Sequence, residues 1–105
     1  AIDSLMRVYN TAQHDTSRIM ALTSIAQEYR RTKPDTFASI AEKALAMSEK
    51  IGFEKGKYRA YYNIGIANLN KGNYYLALEY YQKSLKIDEE IGDKQGIATI
   101  LNNMG

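Results

Sequence analysis

The sequence predicts an all-α chain of antiparallel helix pairs stacked side by side, and three observations lead there. The composition favours long amphipathic helices, with a single proline and nine tyrosines scattered among Ala, Leu, Glu and Lys, and no alternating strand pattern. The chain repeats itself at a 40-residue offset: between positions 43 and 65 and their counterparts 8 of 23 paired residues are identical, including Ile51-Gly52 with Ile91-Gly92, Gly56 with Gly96, Asn63 with Asn103 and Gly65 with Gly105. Each period is also divided in two by turn residues, as a pair of helices requires.

The elements follow in order. Leu5, Val8, Tyr9 and Ala12 suggest a first helix within 1–14, ended by His14-Asp15-Thr16, where Asp15 or Thr16 can cap the next helix. A first pair over 15–56 opens with Leu22, Ile25, Ala26 and Tyr29, and breaks at Thr32-Lys33-Pro34-Asp35. It continues through Phe37, Ala38, Ala41, Ala44, Leu45 and Ile51. Pro34 suits a first helical turn, and Thr32 with Asp35 has capping-box spacing. A second pair over 57–96 carries Tyr58, Tyr61, Tyr62, Gly65 and Leu69, stops at Gly72-Asn73, and resumes from about Tyr74 to Ile91 with a stripe of Ala77, Leu78, Tyr81, Leu85 and Ile91. Residues 97–105 read as the start of a third pair.

At Tyr61, Ile64, Gly65, Asn68, Ala77, Tyr81 and Ser84 the pattern resembles the tetratricopeptide repeat (TPR) family, over roughly residues 17–105. In those slots small residues let two helices approach and aromatics fill the space beside them. Asn68 departs from the aromatic slot, and Phe37 with Ala41 reverses the usual small-then-large order. The ordinary repeat has about 34 residues; the 40-residue form, with its Ile-Gly-x-x-x-Gly link, looks like TPR regions of bacterial sensor kinases, cyclases and regulators. The resemblance implies a right-handed superhelical solenoid, of which this chain is a fragment, and a protein or peptide partner held in a concave groove.

Chemistry is hard to find in the residues. Zero cysteines remove disulfides and thiolate sites and leave the compartment open, cytoplasm or periplasm. Ala1 in place of an initiator Met implies that a segment preceded it. His14 has no nucleophile at a recognisable spacing, and Asp88-Glu89-Glu90 read as solvated charges pointing in different directions. Glu79 with Lys83 and Glu90 with Lys94 have ion-pair spacing. The glycines form no phosphate loop. No catalytic residue, metal or cofactor is expected. With 14 basic and 12 acidic residues, a net charge of +2 argues against nucleic acid. No apolar run reaches the length of a membrane span. Tyr61 and Tyr81 suit packing slots, and Tyr74 and Tyr75 are expected to cover the neighbouring repeat.

The groove expected from the resemblance is lined by the first helix of each pair. Its slots hold Gln27, Arg30 and Arg31, then Arg59, Tyr62, Asn63, Ile66 and Asn70, then Thr99, Asn102 and Asn103. A peptide there would contact Asn63 together with Arg59 or Arg31; the other reading of Asn63 is a bond to a neighbouring helix. Some relatives clamp a C-terminal carboxylate, but the matching slots are Thr23, Gln27, Asn63, Thr99 and Asn103, and only Asn63 agrees, so that clamp is disfavoured. Finally, Ile97, Ile100, Leu101 and Met104 form an apolar stripe without its usual partner helix, so this edge is expected either to fray or to associate with a second copy.

Overall fold

The computed structural model describes residues 5–7, 14–92 and 101, and residues 5–7 and 101 are helical. Four full helices follow one another: α1 (Asp15–Tyr29), α2 (Pro34–Ile51), α3 (Glu54–Asn70) and α4 (Tyr74–Ile91). No strand occurs among the described residues. Each helix packs on the next, and α1 also touches α3 across the pair boundary. The first helices of the two pairs therefore lie side by side.

The turns follow from local chemistry. Pro34 occupies the first turn of α2, where its missing N–H breaks no helical bond. Gly52 and Gly92, 40 residues apart, end α2 and α4 at φ 69° and 75°, a left-handed conformation in which a Cβ would be strained. The capping expected from side chains is not formed. Lys33 is the N-cap of α2 and His14 that of α1, and neither helix start carries a side-chain cap bond. The backbone instead carries these starts, with Phe37 N–H donating to Lys33 O at 2.9 Å and Arg18 N–H to His14 O at 3.2 Å.

The core is one small-and-large mosaic. Ala26, Phe37, Tyr58, Ile66, Ala67, Ala77, Tyr81 and Ile87 form its main cluster, with Ile19, Leu22, Ala44 and Ala60 in a second. The two pairs fill the space between their helices in opposite ways. In the first, Phe37 and Ala41 are both buried; in the second, the equivalent positions are Ala77 and Tyr81, also both buried. Gly56 and Gly65 mark the closest approaches within α3. A Cβ on Gly56 would run into the Ser48 hydroxyl and the Phe53 ring, and one on Gly65 would lie 2.7 Å from the Tyr81 ring. Asn68, in an aromatic slot of the pattern, is put to polar use: its Nδ2 donates to Ile64 O at 2.9 Å while Asn73 N–H donates to Asn68 O, tying off α3.

Four expectations about the faces of α4 are corrected. Asp88 is not solvated: it is 0% exposed, whereas Glu89 and Glu90 are exposed. The stripe buries Ala77, Tyr81, Ser84, Ile87 and Asp88, leaving Leu78 and Ile91 exposed, because the buried face tracks the i, i+4, i+7 row from Ala77. Tyr74 and Tyr75 cover nothing; they stand 68% and 93% exposed. Lys83 does not pair with Glu79 but lies over the rings of Tyr80 and Tyr61, at 5.2 and 5.7 Å. Lys94 lies outside the described residues.

Candidate functional site

The side-by-side placement of α1 and α3 builds the candidate site. Gln27 on α1 and Asn63 on α3 meet directly, Gln27 Nε2 donating to Asn63 Oδ1 at 2.8 Å. Asn63 is buried and Gln27 exposed, so the bond fixes an outward-facing amide on the surface between the helices. It also brings residue 27 of α1 beside residue 63 of α3.

Around that bond the expected groove residues separate into two groups. Arg31 and Asn70 are exposed, and Arg30, Arg59 and Tyr62 are half-buried. Ile66, by contrast, is only 2% exposed and belongs to the core, because it lies on the side of α3 turned inward. Thr23 is likewise buried, its hydroxyl donating to Ile19 O at 3.0 Å. Thr99, Asn102 and Asn103 lie outside the described residues, as do Ile97, Ile100 and Met104 of the expected self-association edge. Leu101 of that edge is helical and 49% exposed.

The Tyr81 hydroxyl on α4 and the Arg59 Nε–H on α3 are buried polar groups. The Tyr81 hydroxyl is closed off from solvent and has no hydrogen-bond partner. Its ring lies 5.8 Å from that of Tyr62. Burial holds its pKa above the ordinary tyrosine value, the neighbouring Tyr62 adds to this, and the nearby Arg30 charge opposes it. On α3 the Nε–H of Arg59 is similarly enclosed without an acceptor, with the guanidinium 5.9 Å from the Tyr58 ring.

Sequence reasoning assigned Tyr81 to packing alone, and its ring does pack against Gly65. Nothing in the sequence showed that the hydroxyl would be buried without a partner, since that depends on how deeply the ring inserts. Asp88 carried a usable signal. It falls 40 residues after Ser48, and both positions are 0% exposed.

Among the described residues no group of three or more His, Cys, Asp or Glu side chains is arranged to hold a metal ion. No described helix is long and apolar enough to cross a membrane.

Residues 58–91 match the tetratricopeptide repeat. The match begins inside α3 and ends on the last residue of α4, and so covers the second helix pair. No curated relative matches the chain. Tetratricopeptide repeats in general mediate protein–protein interaction.

Proposed function

We propose that the chain is the non-catalytic, TPR-type interaction segment of a bacterial signalling protein, a sensor kinase, cyclase or regulator. It binds a peptide or protein segment along the face shared by α1 and α3. The observation that carries this reading is the Gln27–Asn63 bond, which brings polar residues of both helices onto one surface. Gln27, Arg30, Arg31, Arg59, Tyr62 and Asn70 then form the contact surface, and Asn63 holds Gln27 in place. The 40-residue period and the Ile-Gly-x-x-x-Gly link support the signalling context.

Peptides selected from a random displayed library against the 105-residue chain test the reading. Arg31→Glu and Asn70→Ala should weaken the selected peptides, and Lys83→Glu on the outer face of α4 should not. The opposite pattern overturns the groove assignment.

A second reading, self-association, is favoured by the exposure of Leu101 together with Leu69, Leu76, Leu78, Tyr74 and Tyr75. Sedimentation equilibrium across a concentration series decides it: a strictly monomeric chain excludes this reading.

A further inference from the structure

The 40-residue repeat supplies its own control for the start of α4. Pro34, Asp35 and Thr36 open α2, and the residues 40 positions on, Tyr74, Tyr75 and Leu76, open α4. The fold therefore does not call for large apolar side chains in this turn. Yet Tyr74, Tyr75 and Leu76 stand 68%, 93% and 40% exposed, and Leu69 in the last turn of α3 adds a fourth exposed side chain at 37%. Consecutive helical residues point about 100° apart, so these three surround the helix start instead of forming one stripe. Ala77 is the first residue of α4 to turn into the core.

Consecutive helices run antiparallel, so the α1–α2 and α3–α4 turns lie at the same end of the stack. That end is basic. Arg30, Arg31 and Lys33 occupy one turn and Lys71 the other, and among the described residues none of them forms an ion pair. The carboxylates nearest in sequence are Glu28 in the last turn of α1 and Asp35 in the first turn of α2. The first turn of α4 holds no acidic residue, so its free N–H groups add to the positive field.

We propose that this end of the helix stack docks on the surface of an anionic lipid bilayer. Leu69, Tyr74, Tyr75 and Leu76 enter the headgroup layer, while Lys33, Lys71 and the neighbouring arginines pair with lipid phosphates. Tyrosine suits that layer because its ring is apolar and its hydroxyl stays wet, and basic residues beside an anionic leaflet add attraction. A ring 93% exposed stands clear of the surface, a shape that enters a fluid layer and lines no groove for a folded partner. A second copy joined through the same end would set Lys33 and Lys71 against their own counterparts, a like-charge contact. The attachment is peripheral, and it does not depend on the groove reading.

Co-sedimentation of the 105-residue chain with vesicles tests this, using phosphatidylcholine alone and phosphatidylcholine mixed with phosphatidylglycerol. The mixed vesicles should retain the chain, the neutral ones should not, and rising salt should release it. Lys33→Gln and Lys71→Gln should each weaken partitioning about fivefold, the effect of one basic residue beside an anionic leaflet. Lys50→Gln, the same charge change in the last turn of α2 at the other end of the stack, should have no effect. Replacing both Tyr74 and Tyr75 by Ser should weaken partitioning at least about tenfold, since each covered ring takes roughly 150–250 Å² out of water. The melting temperature of that variant should stay that of the wild type, because both rings are exposed. The chain contains no tryptophan, so Tyr75→Trp provides a single reporter. Its emission should shift to the blue on the mixed vesicles and be quenched by lipids brominated in the upper acyl chain.

No binding to the mixed vesicles, an unshifted Tyr75→Trp emission on vesicles that do bind, or equal losses from Lys50→Gln and Lys71→Gln overturns the proposal. So does retention on polyglutamate with none on vesicles, which would make the occupant an acidic protein. Concentration-dependent mass that disappears in the double tyrosine variant, without vesicle binding, would assign this end to a second copy. Peptides selected for the groove should bind the double tyrosine variant as they bind the wild type, so the groove reading stands or falls separately.

Discussion

Tyr81 lies flat against Gly65, with its Cδ1 and Cε1 atoms 2.8 and 2.7 Å from where a Cβ on that glycine would stand. The first helix pair solves the same packing problem differently. Ala26 occupies the place of Gly65, and Ala41 that of Tyr81, while the large side chain is Phe37 in place of Ala77. Size is thus exchanged along one face of the second helix, and the glycine is required only where the ring opposes it.

That exchange gives the first prediction. Gly65→Ala should destabilise the chain by about 1–3 kcal/mol from overpacking, despite the better helix propensity of alanine. The ring is only 2% exposed and has nowhere to swing. Combining Gly65→Ala with Ala77→Phe and Tyr81→Ala copies the first pair and should recover most of the loss. Urea denaturation of the single and triple variants is the check, and a triple variant no better than the single one would refute the exchange.

Ser84 provides the second. It is fully buried, and its hydroxyl donates to Tyr58 O at 2.7 Å, joining α4 to α3. The equivalent position in the first pair is Ala44, also buried, so the backbone accepts alanine there. Ser84→Ala should therefore cost only the net value of one hydrogen bond, about 1 kcal/mol. Ser84→Val, which adds bulk between the same two helices, should cost more. Thermal melts rank the two.

How much of this was legible depends on which physical signal each feature carries. Helix pairs, the turns at Gly52 and Gly92 and the buried Ala77 and Tyr81 are set by periodicity and backbone conformation, which the sequence displays directly. The start of α3 at Glu54 rather than near Lys57 was not, because the turn at Gly52 is tight enough for the helix to begin at once. Groove residues were legible as a helix face, yet Ile66 and Thr23 fell on the wrong side of it. A rotation of a few tens of degrees, fixed only by tertiary packing, separates an exposed slot from a core one. Charge misled the reading at Asp88, where the repeat register outweighs the preference of a carboxylate for water.

The Gln27–Asn63 bond is the polar link between the two helix pairs, and it yields the third prediction. Its 2.8 Å length and partial burial place it among ordinary net-stabilising hydrogen bonds. A double-mutant cycle with Gln27→Ala and Asn63→Ala should give a coupling energy of about 0.5–1.5 kcal/mol. Asn63→Ala alone should be the more damaging single change, since Asn63 is the buried partner. Perfect additivity of the two substitutions in urea titrations would mean that the bond contributes nothing.

The last prediction concerns alkaline pH. Tyr81 has its pKa held above the ordinary value of about 10, by burial first, then by Tyr62, against the opposing charge of Arg30. Lys57 is also raised, chiefly by its hydrogen bond to Glu54, with burial working in the other direction. In both cases the folded state keeps its proton to a higher pH than the unfolded chain does. The sign is therefore the same for each: the contribution is complete below the ordinary pKa, and it is lost as pH rises toward and through the folded value, because the unfolded chain releases protons first. Lys57 is partly exposed at the start of α3, so solvent screens its part. Tyr81 should dominate, since its phenolate would have to form inside the core beside Gly65. Urea midpoints measured from pH 8 to 11 should fall for the wild-type chain, and Tyr81→Phe should flatten part of that fall. At pH 7 the same variant should be at least as stable as the wild type, because the hydroxyl it removes has no partner in the fold. Parallel pH profiles for wild type and Tyr81→Phe would show that the hydroxyl titrates as it would in water.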